Sequence, residues 1–95
     1  MDTERTESHR GYVIKKTCVF ENDRGFVLAE NPNAVTPFVT WQLTENENGN
    51  RDYYWGHYIT DGKDALHDFL LRITDYQEQY RVSIRTNENR VPPKN

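Results

Sequence analysis

Hydrophobic and polar residues alternate along the first part of the chain, a pattern that predicts β-strands. Runs of β-branched and aromatic residues occupy positions 12–20 and 26–30, and the polar stretch 21–25 separates them. With Asn22 and Asp23 at the centre of the turn, the two runs form a hairpin. The predicted register pairs Glu21 with Arg24, Val19 with Phe26, Cys18 with Val27 and Lys15 with Glu30. Opposite charges then face each other twice, which supports this register.

A second hairpin is predicted from the runs 38–44 and 52–59. The segment between them contains Asn48-Gly49, a strong signal for a two-residue type I′ turn. The stretch 31–37, which contains two prolines, is predicted to be the loop that connects the two hairpins.

The turn at Asn48-Gly49 fixes a register for the second hairpin. It places Val39 opposite Tyr58, Trp41 opposite Gly56 and Leu43 opposite Tyr54, all on one side of the sheet. A glycine at that position leaves room for the indole of the tryptophan. The same register makes Glu45 face Asp52, so we expect the ladder to fray there or the loop to exceed two residues.

From Asp61 onward the apolar period changes from two to 3.6, which predicts an amphipathic helix that continues to Tyr80. Its apolar stripe consists of Leu66, Phe69, Leu70, Ile73, Tyr76, Gln77 and Tyr80. Asp61 is the predicted N-cap residue, and Asp64 completes an approximate capping box. The opposite face is predicted to lie in solvent and carries Lys63, Asp64, His67, Asp68, Arg72, Asp75 and Gln79.

These elements predict an α+β fold. Two consecutive hairpins form a four-stranded antiparallel sheet, and one C-terminal amphipathic helix packs on one face of it, in the order β-β-β-β-α. Residues 1–10 are polar and aperiodic, so we expect a disordered lead-in. Residues 11–84 form a single domain, and residues 85–95 form a flexible basic tail. The alternation over residues 80–84 is compatible with a short edge strand.

Composition narrows the class of protein. The 95 residues are 35% hydrophobic and 13% aromatic, which indicates a small aromatic core rather than a disordered chain. Neither a membrane-spanning apolar run nor a signal peptide is recognised, so we expect a cytoplasmic protein that does not bind membranes. One cysteine, Cys18, excludes an internal disulfide framework, and neither a metal site nor a cofactor is expected.

The predicted sheet carries more aromatic residues than one covered face needs. Val39, Trp41, Leu43, Tyr54 and Tyr58 are assigned to the helix side, and Phe38, Thr40, Gln42, Tyr53, Trp55, His57 and Ile59 to the other. A second layer can cover that other side: the 31–37 loop, a C-terminal strand or a dimer mate. Alternatively Tyr53, Trp55 and His57 form a binding platform. The assignment of the two sides can also be inverted.

Charge is distributed unevenly along the chain. The net charge is −3, and most of the acids lie between residues 45 and 78, whereas residues 79–95 are basic. The acidic helix residues Asp64, Asp68 and Asp75 are either a solvated face or an imitation of nucleic-acid phosphates that occupies a basic groove. Direct nucleic-acid binding by the open sheet is less favoured, because few basic residues accompany the aromatic ones.

Catalysis finds little support in the sequence. A nucleophile elbow, a phosphate loop, a dinucleotide fingerprint and a zinc-protease motif are all missing. Cys18 is interpreted as a small buried apolar residue in the middle of a strand rather than a nucleophile, and His57 and His67 lack the third partner that a catalytic triad needs. We therefore expect a protein that is not an enzyme.

Three motifs carry a resemblance to a known group of proteins: RGFVLAENP, PFVTWQ and RDYYWGHY. Together with the helix ending DYQEQY, they resemble small uncharacterised accessory proteins of conjugative and integrative mobile genetic elements of Gram-positive gut bacteria. The resemblance covers roughly residues 12–80 and transfers no functional residues. It implies a context in which short acidic proteins often act as anti-CRISPR or anti-restriction factors.

The combined expectation is a non-enzymatic anti-defence inhibitor. It would bind a host nucleic-acid-targeting nuclease, with a CRISPR-Cas effector as the favoured partner, and block its nucleic-acid or target-recognition surface. The predicted partner-binding residues are Tyr53, Trp55, His57, Asp64, Asp68 and Asp75. The alternatives are a small nucleic-acid-binding accessory protein that uses the open sheet, and a structural protein that forms a homodimer through it.

Overall fold

The computed structural model describes residues 7–85. An antiparallel sheet has its strands in chain order, and a single long helix follows it. The elements are β1 (Ser8–His9), β2 (Tyr12–Val19), β3 (Arg24–Glu30), β4 (Phe38–Glu45), β5 (Arg51–Ile59) and α1 (Gly62–Tyr80). The α+β class, the two hairpins and the C-terminal helix are confirmed.

The sheet has five strands, whereas the sequence predicts four. The additional strand is β1, which pairs with the start of β2 through Ser8 and Val13. The turn between them places Arg10 and Gly11 at positive φ, 54° and 86°. A strand of two residues is too short to show an alternating pattern, so it cannot be recognised within the polar sequence of residues 1–10. Residues 1–6 of the predicted lead-in and 86–95 of the predicted tail lie outside the described residues.

The first hairpin turns through three residues instead of two. The backbone N–H of Phe20 donates to the carbonyl oxygen of Arg24 at 2.7 Å, and Asp23 closes the loop at φ 68°. This is the type I turn with a left-handed third residue that is common in hairpins. The predicted register is therefore wrong by one residue, and a bulge between Ile14 and Lys16 shifts it once more.

The second hairpin has the same kind of loop. Asn46 N–H donates to the carbonyl oxygen of Asn50 at 2.9 Å, and Gly49 adopts φ 85°. The predicted type I′ turn is wrong because the side-chain oxygen of Asn46 accepts backbone N–H groups within the loop and stabilises the longer turn. Glu45 consequently faces Arg51 rather than Asp52, which removes the predicted like-charge pair.

A bulge in β5 divides the second hairpin into two registers. The predicted register holds from Phe38 opposite Ile59 to Thr40 opposite His57, and it shifts by one residue beyond that point. Trp55 is the bulged residue, with φ 53°. Gly56 lies against the indole as predicted, since a Cβ there would approach Nε1 of Trp41 to 2.8 Å.

The helix covers the opposite face from the one predicted. Its core with the sheet comprises Phe20, Phe26, Leu28, Ala65, Phe69 and Ile73. Thr40 and Gln42 lie on this side, because Phe26 and Leu28 of β3 are their direct neighbours in the ladder. The other face holds the cluster of Val19, Val27, Ala29, Val39, Trp41 and Leu43. Both faces are apolar, so alternation alone does not decide which of them the helix covers.

Curling of the sheet encloses the face that the helix leaves free. The ring of His9 in β1 lies 4.9 Å from Trp41 and 5.0 Å from Tyr53, so the first and last strands meet across this core. Tyr12 adds a hydroxyl hydrogen bond to the carbonyl oxygen of Thr36 in the connecting loop, at 2.7 Å. The sheet itself, rather than a separate layer, therefore covers most of this face, and the 31–37 loop adds one contact.

The helix begins and ends where the sequence predicts. Asp61 caps it by accepting a hydrogen bond from the Lys63 N–H at 3.1 Å, and Arg81 ends it in the left-handed region at φ 58°. The buried stripe is rotated relative to the prediction, because Ala65 is fully buried whereas Leu70 is 51% exposed. Among residues 7–85, no helix combines the length and the apolar character that crossing a membrane requires.

The segment after the helix returns to the sheet. Ile84 forms a single antiparallel bridge with Phe20, where the sequence is compatible with an edge strand. The Arg85 guanidinium pairs with Glu45 at 2.9 Å and with Asp23 at 3.4 Å. Arg85 is the first residue of the predicted flexible tail, and here it links the loop of the first hairpin to the end of β4.

Candidate functional site

Trp55 is an exposed aromatic residue in a strained backbone conformation. Its residue surface is 71% exposed, and its φ of 53° lies in the left-handed region that favours glycine. That region costs a non-glycine residue roughly 1–2 kcal/mol. Among the aromatic rings of residues 7–85, the indole contacts Tyr54 edge to face, with ring centroids 5.0 Å apart. The packing of the fold therefore does not explain why this position carries a tryptophan. Strained residues tend to cluster at binding sites, which makes Trp55 a candidate binding residue.

A polar cluster between the helix and the sheet holds the Trp55 backbone in place. Arg72 donates through Nη2 to the Trp55 carbonyl oxygen at 2.9 Å and through Nη1 to the Thr40 carbonyl oxygen at 2.9 Å. Asp68 accepts from the Thr40 hydroxyl at 2.6 Å, and its Oδ2 lies 3.0 Å from Nδ1 of His57. Burial lowers the pKa of Arg72, and the nearby charge of Asp68 opposes that shift.

This cluster changes the assignment of two helix residues. The expectation that Asp68 and Arg72 lie on the solvent face is wrong, because both are half-buried against β4 and β5. The Thr40 hydroxyl is fully buried and bonded to Asp68, so His57, Asp68 and Thr40 together attach the helix to the sheet. Within residues 7–85, His, Cys, Asp and Glu side chains form no group of three or more that could hold a metal ion.

An acidic stripe runs along the helix beside β5. We use this name for Asp64, Asp68 and Asp75. Leu71 lies between Asp68 and Asp75 in the sequence. The four positions 64, 68, 71 and 75 are four, three and four residues apart, and this spacing places their side chains on one side of the helix. The contact of Asp68 with His57 fixes that side as the one next to β5. Asp64, Leu71 and Asp75 are exposed, and the helix that carries them contacts Trp55 through the hydrogen bond of Arg72 to the Trp55 carbonyl oxygen.

The predicted aromatic platform does not form as a unit. The β5 bulge separates Tyr53 from Trp55 and His57 and turns it toward the core that the curled sheet encloses. There its hydroxyl donates to Glu7 at 2.9 Å. Burial, together with that hydrogen bond, raises the pKa of Tyr53 to about 12. Trp55 and His57 remain neighbours of the acidic stripe through Arg72 and Asp68.

A shallow groove continues this surface along the second half of the helix. It encloses about 200 Å³ and is lined by Phe26, Gln42, Arg72, Asp75, Tyr76 and Gln79. Arg72 is common to the groove and to the Trp55 contact, and Gln42 is the cross-strand partner of Tyr54. Sequence reasoning misses Gln42, Tyr54 and Leu71 as site residues. The glycine after Trp55 is the signal that could have revealed the bulge and hence their placement.

Comparisons with family models, with curated proteins and with solved structures give no match to this chain. The resemblance to accessory proteins of conjugative and integrative elements therefore stays a prediction. The candidate surface rests on geometry alone: the exposed Trp55, the acidic stripe and the adjoining groove.

Proposed function

We propose that this protein is a non-enzymatic inhibitor that binds a nucleic-acid-targeting nuclease of its host. It docks through Trp55 and the acidic stripe onto the basic surface with which the nuclease holds its nucleic acid. A CRISPR-Cas effector is the most favoured partner within this class. The proposal supposes action in the cytoplasm, where such effectors meet their targets.

The observation that carries the proposal is the placement of Trp55. Tryptophan is enriched at the energetic centres of protein interfaces, where a large aromatic ring enters a pocket of the partner. Here the ring is exposed, the backbone beneath it is strained, and Arg72 fixes that backbone from the helix. A preformed anchor of this kind loses little conformational entropy when the partner binds.

Charge supports a basic partner surface. Asp64 and Asp75 are exposed, and neither forms an ion pair within the described part of the chain. The one base on this side of the helix, Arg72, is already bonded to the sheet. The acidic stripe together with Arg72 therefore carries three acids and one base, a net negative charge that attracts the lysine- and arginine-rich groove of a nucleic-acid-binding enzyme and repels nucleic acid itself.

The same geometry weighs against the two alternatives. Nucleic-acid binding through the sheet requires an open aromatic face. In the described structure α1 covers one face of the sheet and the curl encloses the other. A homodimer that forms through the sheet requires the same open face. Both alternatives remain outcomes of the experiment that follows.

The experiment is capture of host proteins by the tagged chain after nuclease treatment of the lysate, followed by a cleavage assay with the captured enzyme. We expect retention of a nuclease that the protein inhibits. Capture that disappears with nucleic acid would favour the nucleic-acid-binding alternative, and capture of this chain alone would favour the dimer.

A charge variant links the capture to the proposed surface. Because Asp68 is bonded to Thr40, the informative reversal is Asp64→Lys with Asp75→Lys, which leaves the helix-to-sheet contacts intact. We expect this double variant to lose inhibition. The matched control is Glu47→Lys with Glu21→Lys, which changes the net charge equally at exposed loop positions away from the stripe. Equal loss of inhibition in both variants would contradict a specific docking surface.

A further inference from the structure

The groove beside Trp55 has the size of a site for one side chain. Its volume of about 200 Å³ lies below the range of roughly 300–1,000 Å³ that accommodates drug-sized ligands. Its apolar wall is rigid, because the Tyr76 ring stacks on Phe20 with centroids 4.9 Å apart and its hydroxyl accepts a hydrogen bond from Asn22. A preformed wall of this kind suits the stem of a long side chain.

Gln42 gives the groove a buried amide with unused hydrogen-bonding capacity. The residue is only 9% exposed, and its side-chain amide has no hydrogen-bond partner among residues 7–85. Buried polar groups almost always have a partner, so one without a partner needs an explanation. Because Gln42 lines the groove, a group bound there can supply the missing hydrogen-bond partner of its side-chain amide.

The groove also presents acceptors for a cation. Asp75 and Gln79, one helical turn apart, contribute a carboxylate and a second amide oxygen. Arg72 also lines the groove and keeps its positive charge, but its guanidinium donates to the carbonyl oxygens of Thr40 and Trp55 and lies over the ring of Phe26, so these donors are not engaged with Asp75. What remains available is a carboxylate, two amide oxygens and an aromatic wall.

We propose that this groove binds a single arginine side chain of the partner. The guanidinium donates to Asp75 and to the side-chain oxygen of Gln42, while the aliphatic stem packs along Tyr76. Arginine fits better than lysine, because its planar fork carries five donors for several acceptors and is less strongly hydrated than an ammonium group. The inference rests on the proposed function and names the partner group that enters beside Trp55.

The test is a nuclear magnetic resonance titration of the full chain with N-acetyl-L-arginine methylamide. The lysine analogue serves as the comparison ligand. We expect saturable shifts of the Gln42 and Gln79 side-chain amide signals with millimolar arginine probe, and much smaller shifts with the lysine probe. Equal responses to the two probes, or no saturable response to the arginine probe, would overturn the proposal.

Three variants separate the groove from general electrostatics. Asp75→Asn is expected to weaken arginine binding roughly tenfold, the effect of losing one charged hydrogen bond. Asp64→Asn removes the same charge from the same helix outside the groove, and a change of no more than about twofold is expected. Gln42→Met keeps the length of the side chain, so it should bind arginine more weakly while unfolding at the same or a higher denaturant concentration. Equal effects of Asp75→Asn and Asp64→Asn would overturn the assignment.

Failure of this inference and failure of the proposed function give different results. Trp55→Gly should abolish capture of the nuclease but leave the response to the arginine probe unchanged. If no nuclease is captured while the arginine response persists, the proposed function is wrong and the groove stands. If capture depends on Trp55 but not on Asp75 or Gln42, the arginine assignment is wrong.

Discussion

Trp55 combines backbone strain with exposure of a large ring, and the two effects can be measured apart. Glycine tolerates φ 53° without a steric penalty, whereas alanine does not. Trp55→Gly and Trp55→Ala both lack the ring, so the difference between their stabilities measures the backbone strain. The loss of partner binding relative to the wild type measures the contribution of the ring.

Trp55→Gly is expected to be more stable than Trp55→Ala by about 1 kcal/mol, because only alanine keeps the left-handed penalty. Chemical denaturation of the two variants measures this difference. Equal stabilities would mean that the backbone relaxes at the bulge and that Trp55 is not strained.

Tyr53 predicts a dependence of stability on alkaline pH. Its pKa of about 12 in the folded protein exceeds the ordinary tyrosine value of about 10, so the folded state holds the proton more tightly. The stabilisation is complete below about pH 10 and is lost as the pH rises toward 12. We expect the free energy of unfolding to fall more steeply across this window in the wild type than in Tyr53→Phe. Identical slopes in the two proteins would contradict the burial of this hydroxyl against Glu7.

The junction of α1 with β4 and β5 is polar, and its hydrogen bonds fix the rotation of the helix. The sequence predicts the length of the helix, its Asp61 cap and its amphipathic character. It does not predict the rotation, because Asp68 and Arg72 have the pattern of solvent-exposed charges until Thr40 is known to lie beneath them. Leu66 and Leu70 are exposed in consequence.

Asp68→Asn is expected to destabilise the protein by about 1–3 kcal/mol, since it weakens charged hydrogen bonds to Thr40 and leaves Arg72 without its offsetting charge. Asp64→Asn is the matched control on the same helix, and we expect a change within about 0.5 kcal/mol. Thermal and denaturant unfolding compare the two variants. A similar effect of both would show that Asp68 lies in solvent, as the sequence pattern suggests.

The whole molecule is held closed by contacts between the two ends of the sheet. Glu7 pairs with Arg51 at 3.7 Å, and Arg51 also lies 3.5 Å from Glu45, which in turn pairs with Arg85. This chain of charges links the residue before β1, the end of β4, the start of β5 and the segment after the helix. His9 adds an aromatic contact to Trp41 inside the curl.

His9→Ala is expected to reduce stability by about 0.5–1.5 kcal/mol, because the imidazole no longer packs against the indole of Trp41. The emission of Trp41 should also shift to longer wavelength as water enters. Measurement in a Trp55→Phe background isolates the emission of Trp41, the only other tryptophan. His67→Ala, an exposed position on the helix, is the control. Unchanged emission would contradict closure of the sheet by β1.

Sequence patterns therefore predict the four longer strands, the helix and the order of these elements, whereas β1 and the details of the sheet depend on longer-range contacts. Three-residue loops replace the predicted turns because local side chains such as Asn46 compete for the backbone. The bulge at Trp55 and the curl of the sheet depend on packing between distant segments. Of the predicted site residues, Trp55, Asp64 and Asp75 are exposed, whereas Asp68 bonds to Thr40 and His57, and Tyr53 packs on the enclosed core. Their role in partner binding stays a prediction.

The most direct measurement of the central claim is inhibition of the captured nuclease by the wild type and by Trp55→Gly at equal concentrations. The claim predicts that the wild type blocks cleavage and that the glycine variant, folded and at least as stable as Trp55→Ala, inhibits at least about tenfold more weakly, as loss of an interface hot spot requires. Equal inhibition by both proteins would contradict the claim that Trp55 anchors the partner.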